Sequence, residues 1–409
     1  MDKQAPSIAS PRLADLPADN LRRMILRRDI SVPELVADAL AAIGERDSDL
    51  NAFTTTCHDR AMDEARAAQK RLGAGGALPP LLGLPLAVKD SEPVAGLPFA
   101  CGSLVHRGRI AAADSAHVAR LRAAGAIVVG KTNTPEFTLL GETRNRLGPD
   151  TCNPWDRTLT AGGSSGGSAA ALAAGMVPLA TGSDTAGSIT VPAAFCGLAG
   201  LKPSHRRIPV WPGAEDWQPY ADVGPLARSV AGLALMFAAA AGPDPRDPLS
   251  MLTIEARSVQ RLRVSWAPTV AGRPVEGDCA KAAGELAALL AAAGHDVDRA
   301  APDLADPGPV LDLLGAVEEY RARGDLLASR ADLLVLRASA RRALKRYAPA
   351  RDDIEAALKL KPGDGAALVE RGVLRRQLGD IGGARRDFQT ALKSDAAVEA
   401  RAHLDALSP

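Results

Sequence analysis

The sequence predicts an α/β fold in which helices flank a mixed, largely parallel sheet, followed by a small all-α region of helical repeats. Short apolar runs alternate with helical patterns over roughly the first 300 residues. After about residue 310 the composition shifts to Ala, Leu, Arg and Asp, and a 34-residue periodicity is present. We therefore predict one domain at residues 1–309 and helical repeats at residues 310–409.

The first predicted elements are two helices between Leu21 and Arg46. Apolar residues recur there three and four positions apart, as on one face of a helix. Ser31 and Glu34 have the spacing of an N-terminal capping box before the second helix. This part of the chain is therefore expected to be helical.

Strand and helix patterns then alternate. Each strand is a short apolar run bounded by glycine or charged residues, and each helix has a polar cap or small-residue periodicity. The predicted strands are residues 83–88, 126–129, 177–181, 262–266 and a segment around Val297, and the predicted helices are residues 114–124, 169–174 and 279–293. The alternation indicates parallel pairing through helical crossovers.

Composition and charge exclude several classes of protein. The 49 Lys and Arg nearly balance the 48 Asp and Glu, and aromatic residues make up only 3%, which argues against a nucleic-acid binder. The five cysteines are scattered without a C-x-x-C pair, which argues against zinc and disulfides. The first thirty residues contain no apolar h-region of a secretory signal, and no apolar run reaches the length of about eighteen residues that a membrane span needs. We expect a cytoplasmic protein without metal or cofactor.

Residues 310–409 resemble tetratricopeptide repeats. Shifting residues 350–359 by 34 positions gives six identities in ten, among them Ala350 with Ala384 and Asp353 with Asp387. A degenerate third repeat is predicted around residues 316–320. Because about three such repeats are needed for stability, we expect contact with the first domain, with a protein partner, or through self-association.

Residues 125–132 satisfy the expression of a phosphate-binding loop, G-x-x-x-x-G-K-[ST]. A helix pattern precedes them, however, and the interior Ala-Ile-Val-Val is strand material. A phosphate loop instead follows a strand and opens a helix. We therefore expect no nucleotide site here.

Two segments rich in Gly and Ser are the candidates for chemistry. By composition alone residues 162–168, GGSSGGS, could be a linker, but they run into a predicted helix and on to residues 182–188, GSDTAGS. Small residues beside serines allow backbone N–H groups and hydroxyls to converge on a carbonyl. A serine nucleophile is plausible, although the histidines lie outside these motifs, with only His205 near, and Ser188 lacks a G-x-S-x-G elbow.

Five motifs together resemble the amidase signature family over roughly residues 8–300. They are GLPLAVKD at 83–90, GKTNTPEF at 130–137, ETRNRLGPDTCNPWD at 142–156, GGSSGGSAAALAAG at 162–175 and GSDTAGSITVPAAFCGLAGLKPS at 182–204. The resemblance implies the amidase signature fold and hydrolysis of a small carboxamide.

The resemblance also implies a Ser-Ser-Lys triad. It makes Lys89 the catalytic lysine, Ser164 the bridging serine that a cis peptide holds in the family, and Ser188 the nucleophile. Lys89 must be buried or flanked by positive charge to act as a base near neutral pH. The implied oxyanion hole consists of the N–H groups of Thr185, Ala186, Gly187 and Ser188, with Asp184 and Ser165 in supporting positions.

Two departures from the family keep other functions open. Thr190 stands where the family usually has arginine, and the repeats begin where members normally continue beyond residues 295–300, so we expect a shortened domain. One alternative is a catalytically impaired scaffold whose repeats bind a protein, and another is one component of an amidotransferase. The intact Lys89, Ser164 and Ser188 favour catalysis.

Overall fold

The computed structural model describes residues 12–212, 221–251, 261–269, 274–300, 331–343 and 345–407. Contacts group the chain into two units, residues 1–254 and residues 255–409. The predicted boundary at 309/310 falls inside the second unit and stays a prediction. The third repeat predicted around residues 316–320 lies outside the described residues.

The first unit alternates helices with strands, as its sequence patterns predict. Its described helices are α1 (Ala18–Arg27), α2 (Val32–Arg46), α3 (His58–Ala74), α4 (Ala116–Ala123), α5 (Gly166–Ala173), α6 (Thr190–Cys196) and α7 (Val230–Ala240). Its described strands are β1 (Phe53–Thr56), β2 (Pro85–Lys89), β3 (Ile127–Thr132), β4 (Cys152–Asn153), β5 (Asp156–Thr160), β6 (Leu179–Asp184), β7 (Ala199–Gly200) and β8 (Asp222–Ala227).

The predicted helix caps are present. The Ser31 side chain accepts from the Glu34 N–H, and the Glu34 carboxylate accepts from the Ser31 N–H, which completes the capping box of α2. Ser115 caps α4 in a similar way through the N–H of Val118. Local sequence therefore sets where these two helices begin.

Six strands form one mixed sheet in the order β1-β3-β2-β6-β8-β7. Strand β2 pairs in parallel with both β3 and β6. The outer pairings β1–β3, β6–β8 and β7–β8 are antiparallel. The prediction of a mixed sheet is correct for this sheet, but "largely parallel" is wrong. Continuous apolar runs predicted only the central strands β2, β3 and β6 of this sheet. Strand β1 was missed because its residues alternate in burial, and β8 because it contains Pro225.

The centre of the sheet is fully covered. Every residue of β2 is buried, and α5 packs against β2, β3 and β6. Helix α5 consists largely of Gly, Ser and Ala, so its backbone comes close to its neighbours: a Cβ at Gly167 would lie 2.4 Å from the Asn133 nitrogen. The small residues of α5 account for this close packing.

The second unit contains a short parallel pair of strands and a series of helices. Strands β9 (Arg263–Trp266) and β10 (Asp296–Arg299) pair in parallel on either side of α8 (Gly277–Ala292) in the chain. The further described helices are α9 (Ala331–Ala343), α10 (Tyr347–Leu360), α11 (Gly365–Gln377), α12 (Ile381–Ala391) and α13 (Ala397–Asp405). Within the described ranges of both units, no helix has the length and apolarity needed to cross a membrane.

Candidate active site

Lys89 ends the central strand β2, and its side chain is completely buried. Its Nζ atom donates to three hydroxyls: Ser164 Oγ at 2.7 Å, Ser165 Oγ at 2.9 Å and Ser183 Oγ at 2.9 Å. The Lys89 N–H donates to Thr181 Oγ1 on β6. The amine is therefore held at the end of β6 and at the segment that precedes α5.

Burial determines the protonation of this amine. Removal from water lowers the pKa of Lys89 from 10.5 to about 7, while the charges of Glu92 and Asp184 act in the opposite direction. A lysine with such a pKa is substantially neutral near pH 7 and can accept a proton.

Ser164 lies in a backbone segment that only small residues can form. The Gly163–Ser164 peptide bond is cis. A Cβ at Gly163 would lie 2.8 Å from both the backbone nitrogen of Glu142 and the carbonyl oxygen of Leu140, so a larger side chain would clash with backbone. Residues 163–168 are buried, which excludes the alternative of a flexible linker.

Two threonine hydroxyls form hydrogen bonds with the backbone of this segment. Thr143 Oγ1 donates to the Gly162 carbonyl at 2.9 Å and accepts from the Gly166 N–H at 3.1 Å, so one hydroxyl joins both sides of Ser164. Thr134 Oγ1 donates to the Ser164 carbonyl at 2.9 Å. The position of Ser164 thus depends on hydrogen bonds that span 19 to 30 positions of the chain.

Ser188 lies in a turn between β6 and α6 that Asp184 organises. The buried Asp184 carboxylate accepts from the N–H groups of Gly187 at 2.7 Å and Ile189 at 2.9 Å. The Ser188 carbonyl accepts from the Ser165 N–H at 3.2 Å, so the two serine segments are adjacent. Ser188 itself is partly exposed.

The Gly187 N–H, one of the four expected donors of the oxyanion hole, has another hydrogen-bond acceptor in the structure. The Gly187 N–H donates to Asp184 Oδ1, so it is not free to bind a developing oxyanion in this structure. The reason is the short Asp184 side chain, which caps the turn from three residues away. The N–H groups of Thr185, Ala186 and Ser188 remain the candidates.

Thr190 takes part in the same turn. Its N–H donates to Asp184 Oδ2 at 3.2 Å and its hydroxyl to the same oxygen at 3.4 Å. Where the family resemblance leads one to expect an arginine, a neutral hydroxyl therefore supports the Asp184 turn.

Sequence reasoning missed several contributors to the site. Ser183 provides the third acceptor for Lys89, and its place in the motif GSDTAGS was the available signal. Thr143 and the buried Lys131 were also missed, since their partners are distant in the chain. In the described part of the chain, no group of three or more His, Cys, Asp or Glu residues is arranged to hold a metal ion.

The chain is similar to known proteins over most of its length. A sequence model of the Amidase family matches residues 34–344. The putative amidase AmiB2 of Mycobacterium tuberculosis is 43% identical over 286 residues, which are 69% of this chain and 61% of AmiB2. A component of the Glutamyl-tRNA(Gln) amidotransferase of Rhodopirellula baltica is 43% identical over 234 residues, 57% of this chain and 47% of that protein. The chain thus spans about half to three fifths of these relatives.

Solved structures are similar as well. A chain from a vestigial protein complex that bears on the evolutionary origins of an s-triazine catabolic enzyme has a TM-score of 0.70 and 35% identity, covering 84% of this chain and 79% of that one. A 6-aminohexanoate cyclic dimer hydrolase has a TM-score of 0.66 and 27% identity, covering 92% of this chain and 78% of that one.

Proposed function

Because the chain belongs to the amidase family, we propose that it hydrolyses the carbon–nitrogen bond of a small carboxamide. In this proposal Ser188 is the nucleophile, Ser164 carries the proton, and Lys89 is the base. The substrate is a linear amide, and the reaction needs neither metal nor cofactor.

The observation that carries the proposal is the buried Lys89 amine, which lies 2.7 Å from Ser164 Oγ. A solvated lysine at the end of a strand keeps its proton at neutral pH and cannot act as a base. Burial lowers the pKa of Lys89 to about 7, which matches the pKa to the pH at which the reaction would run.

The proposed reaction has two halves. Ser188 Oγ attacks the amide carbon while its proton passes through Ser164 to Lys89, and a tetrahedral oxyanion forms. Collapse of this intermediate breaks the carbon–nitrogen bond, the proton returns to the departing amine, and an acyl-enzyme remains. A water molecule then attacks the acyl group, and its proton passes through Ser164 to Lys89. When the second tetrahedral intermediate collapses, the proton returns to Ser188 Oγ, which releases the carboxylic acid and the free serine.

The N–H groups of Thr185, Ala186 and Ser188 are the proposed donors to the oxyanion. Such donors act best when their positions are fixed before the reaction. The Asp184 hydrogen bonds to Gly187 and Ile189 supply that rigidity.

A panel of simple amides tests this function. We expect the purified chain to release ammonia or amine from at least one aliphatic or aryl carboxamide, and the Lys89→Met variant to do so at least about 100-fold more slowly. Hydrolysis by that variant at more than about one tenth of the wild-type rate would contradict the proposed base.

A second candidate is the ammonia-supplying component of an amidotransferase. It is favoured by the similarity to Glutamyl-tRNA(Gln) amidotransferase components at 41% and 43% identity. The same three residues would then act on an amide donor and pass ammonia to another active site. An obligate partner that co-purifies and is required for amide cleavage would favour this candidate, and full activity of the isolated chain would exclude it.

We further propose that the C-terminal helices are tetratricopeptide-like pairs, which is supported by an ion-pair arrangement that recurs after 34 residues. Two arginines on one helix bind a buried aspartate on the next, and the second arginine of each set has its Nη1 atom 2.6 Å or 2.7 Å from Oδ2. The two sets are Arg337, Arg341 and Asp353 on α9 and α10, and Arg371, Arg375 and Asp387 on α11 and α12. Self-association through these helices is a prediction that light scattering of the purified chain can test, and binding of a protein partner is one that co-purification can test.

A further inference from the structure

The turn that follows Lys89 is fixed by a buried cluster of charged residues. We call residues 89–92 the Lys89 turn. Its backbone is closed by a hydrogen bond from the Glu92 N–H to the Lys89 carbonyl at 2.9 Å, and the Asp90 N–H donates to the Thr132 carbonyl on β3 at 2.9 Å. Asp90 and Glu92 are both buried, so the turn carries two carboxylates out of contact with water.

Lys131 on β3 binds this turn from one side. Its side chain is completely buried, and Nζ donates to the Glu92 carbonyl at 2.7 Å and to the Pro98 carbonyl at 3.3 Å. Lys131 Nζ also lies 3.5 Å from Asp90 Oδ1. One of the two carboxylates of the turn therefore has a lysine beside it.

The Glu92 side chain has a different partner. Its Oε2 atom lies 2.8 Å from Nδ1 of His117 on α4, and both side chains are buried. In the described part of the chain, Glu92 Oε1 and His117 Nε2 have no hydrogen-bond partner. The pair is thus isolated in the interior, where a charge is poorly screened and acts over a longer distance than at the surface.

We propose that Glu92, held in place by His117, is a positioning residue for Lys89. Glu92 fixes the turn that follows the lysine and keeps a negative charge near the amine. The proposed amidase function does not itself require such a residue, but this inference rests on that function. Glu92 would thus help to set the pH range of activity, although it is not one of the proposed catalytic residues Ser188, Ser164 and Lys89.

The groups around Lys89 support this role. Glu92 is three residues from Lys89, in the turn that the hydrogen bond from the Glu92 N–H to the Lys89 carbonyl closes, and its side chain is buried. Its charge opposes the effect of burial on the pKa of Lys89, as does that of Asp184 on β6. Lys131 and His117 are the basic groups in contact with the Lys89 turn. Removal of the Glu92 charge should therefore let Lys89 lose its proton at a lower pH.

The test uses the rate at which a fluorophosphonate probe labels the full chain, measured as a function of pH, so that no substrate need be known. We expect the rate in wild type to rise with pH around a midpoint near neutrality. In Glu92→Gln, which keeps the shape of the side chain, the midpoint should fall by about one pH unit. The matched control is Glu64→Gln, which removes a partly exposed carboxylate paired with Arg60 and Arg122 and should leave the midpoint unchanged.

A second variant covers the case in which Glu92→Gln does not fold. Glu92→Met removes the carboxylate with an apolar side chain of similar length and leaves His117 in place, so the change of charge is that of Glu92 alone. It should lower the midpoint in the same direction.

The outcomes separate this inference from the proposed function. Labelling of wild type with a midpoint that is equal in wild type and in the folded Glu92 variants overturns the inference alone. A lower labelling rate without a shift of the midpoint does the same, because it indicates a purely structural role. Absence of labelling in folded wild type overturns the proposed function and the inference with it.

Discussion

The Nζ atom of Lys89 lies 2.7 Å from Oγ of Ser164, and the whole lysine side chain is excluded from solvent. This contact joins the end of the central strand to the segment that precedes α5. It places an amine whose pKa is lowered next to a serine hydroxyl.

Substitution of Lys89 should greatly reduce catalysis while preserving the fold. Lys89→Met fills the same buried space without a charge, so we expect kcat/KM to fall by about 100-fold to 10,000-fold. The chain should stay folded, because removal of a buried amine offsets part of the cost of the lost hydrogen bonds to the serine hydroxyls. Lys70→Met at an exposed position of α3 is the control. Retention of more than about one tenth of the activity in Lys89→Met would show that another group is the base.

Activity should depend on pH through Lys89. Below its pKa of about 7 the amine is protonated and cannot accept the Ser164 proton, whereas above that pH it is neutral. We therefore expect kcat/KM to rise with pH and to level off above a midpoint of about 7. A profile measured in buffers of constant ionic strength checks this, and a rate independent of pH through neutrality would contradict it.

Thr143 should control the position of Ser164. Thr143→Val keeps the volume but leaves the Gly162 carbonyl and the Gly166 N–H without their partner, which costs about 1 to 3 kcal/mol of stability for each group. We expect a lower Tm and at least a tenfold loss of kcat/KM, of the kind that follows a misplaced catalytic group. Thr143→Ser retains the hydroxyl and should stay close to wild type in both measurements; a loss as large as that of the valine variant would contradict this role.

The recurring ion pairs should stabilise the C-terminal helices. Asp387→Asn removes the buried charge that Arg371 and Arg375 share and leaves them only the exposed carboxylates of Glu355 and Asp380, so we expect a loss of about 1 to 3 kcal/mol in the free energy of unfolding. Asp353→Asn should have a similar effect because its surroundings repeat those of Asp387, and the exposed Asp405→Asn should have none. Denaturant unfolding measures all three, and unequal losses at positions 353 and 387 would argue against equivalent repeats.

Much of the first unit could be predicted because its signals are local. Each of these signals depends on residues close together within one element: the cap at Ser31, the small residues of α5 and the apolar run that ends at Lys89. The structure has these elements where the sequence predicts them. Lys89 is buried like the apolar residues that precede it in β2.

The remainder depends on contacts between distant parts of the chain. Thr143 reaches Gly162, and His117 reaches Glu92, across separations that no local pattern marks. The antiparallel outer strands were missed for the same reason, since pairing direction is set by the path of the intervening chain. The engagement of the Gly187 N–H by Asp184 is a matter of orientation, which the sequence motif does not specify.

Covalent labelling of Ser188 by a fluorophosphonate tests the proposed chemistry most directly. We expect the probe to form one adduct with the folded wild-type chain and mass spectrometry to locate it on Ser188. Ser188→Ala should remain folded and unlabelled, whereas Ser103→Ala, which alters a buried serine outside the motifs, should be labelled like wild type. A folded wild type that is not labelled, or an adduct that persists in Ser188→Ala, would contradict the assignment of Ser188 as the nucleophile.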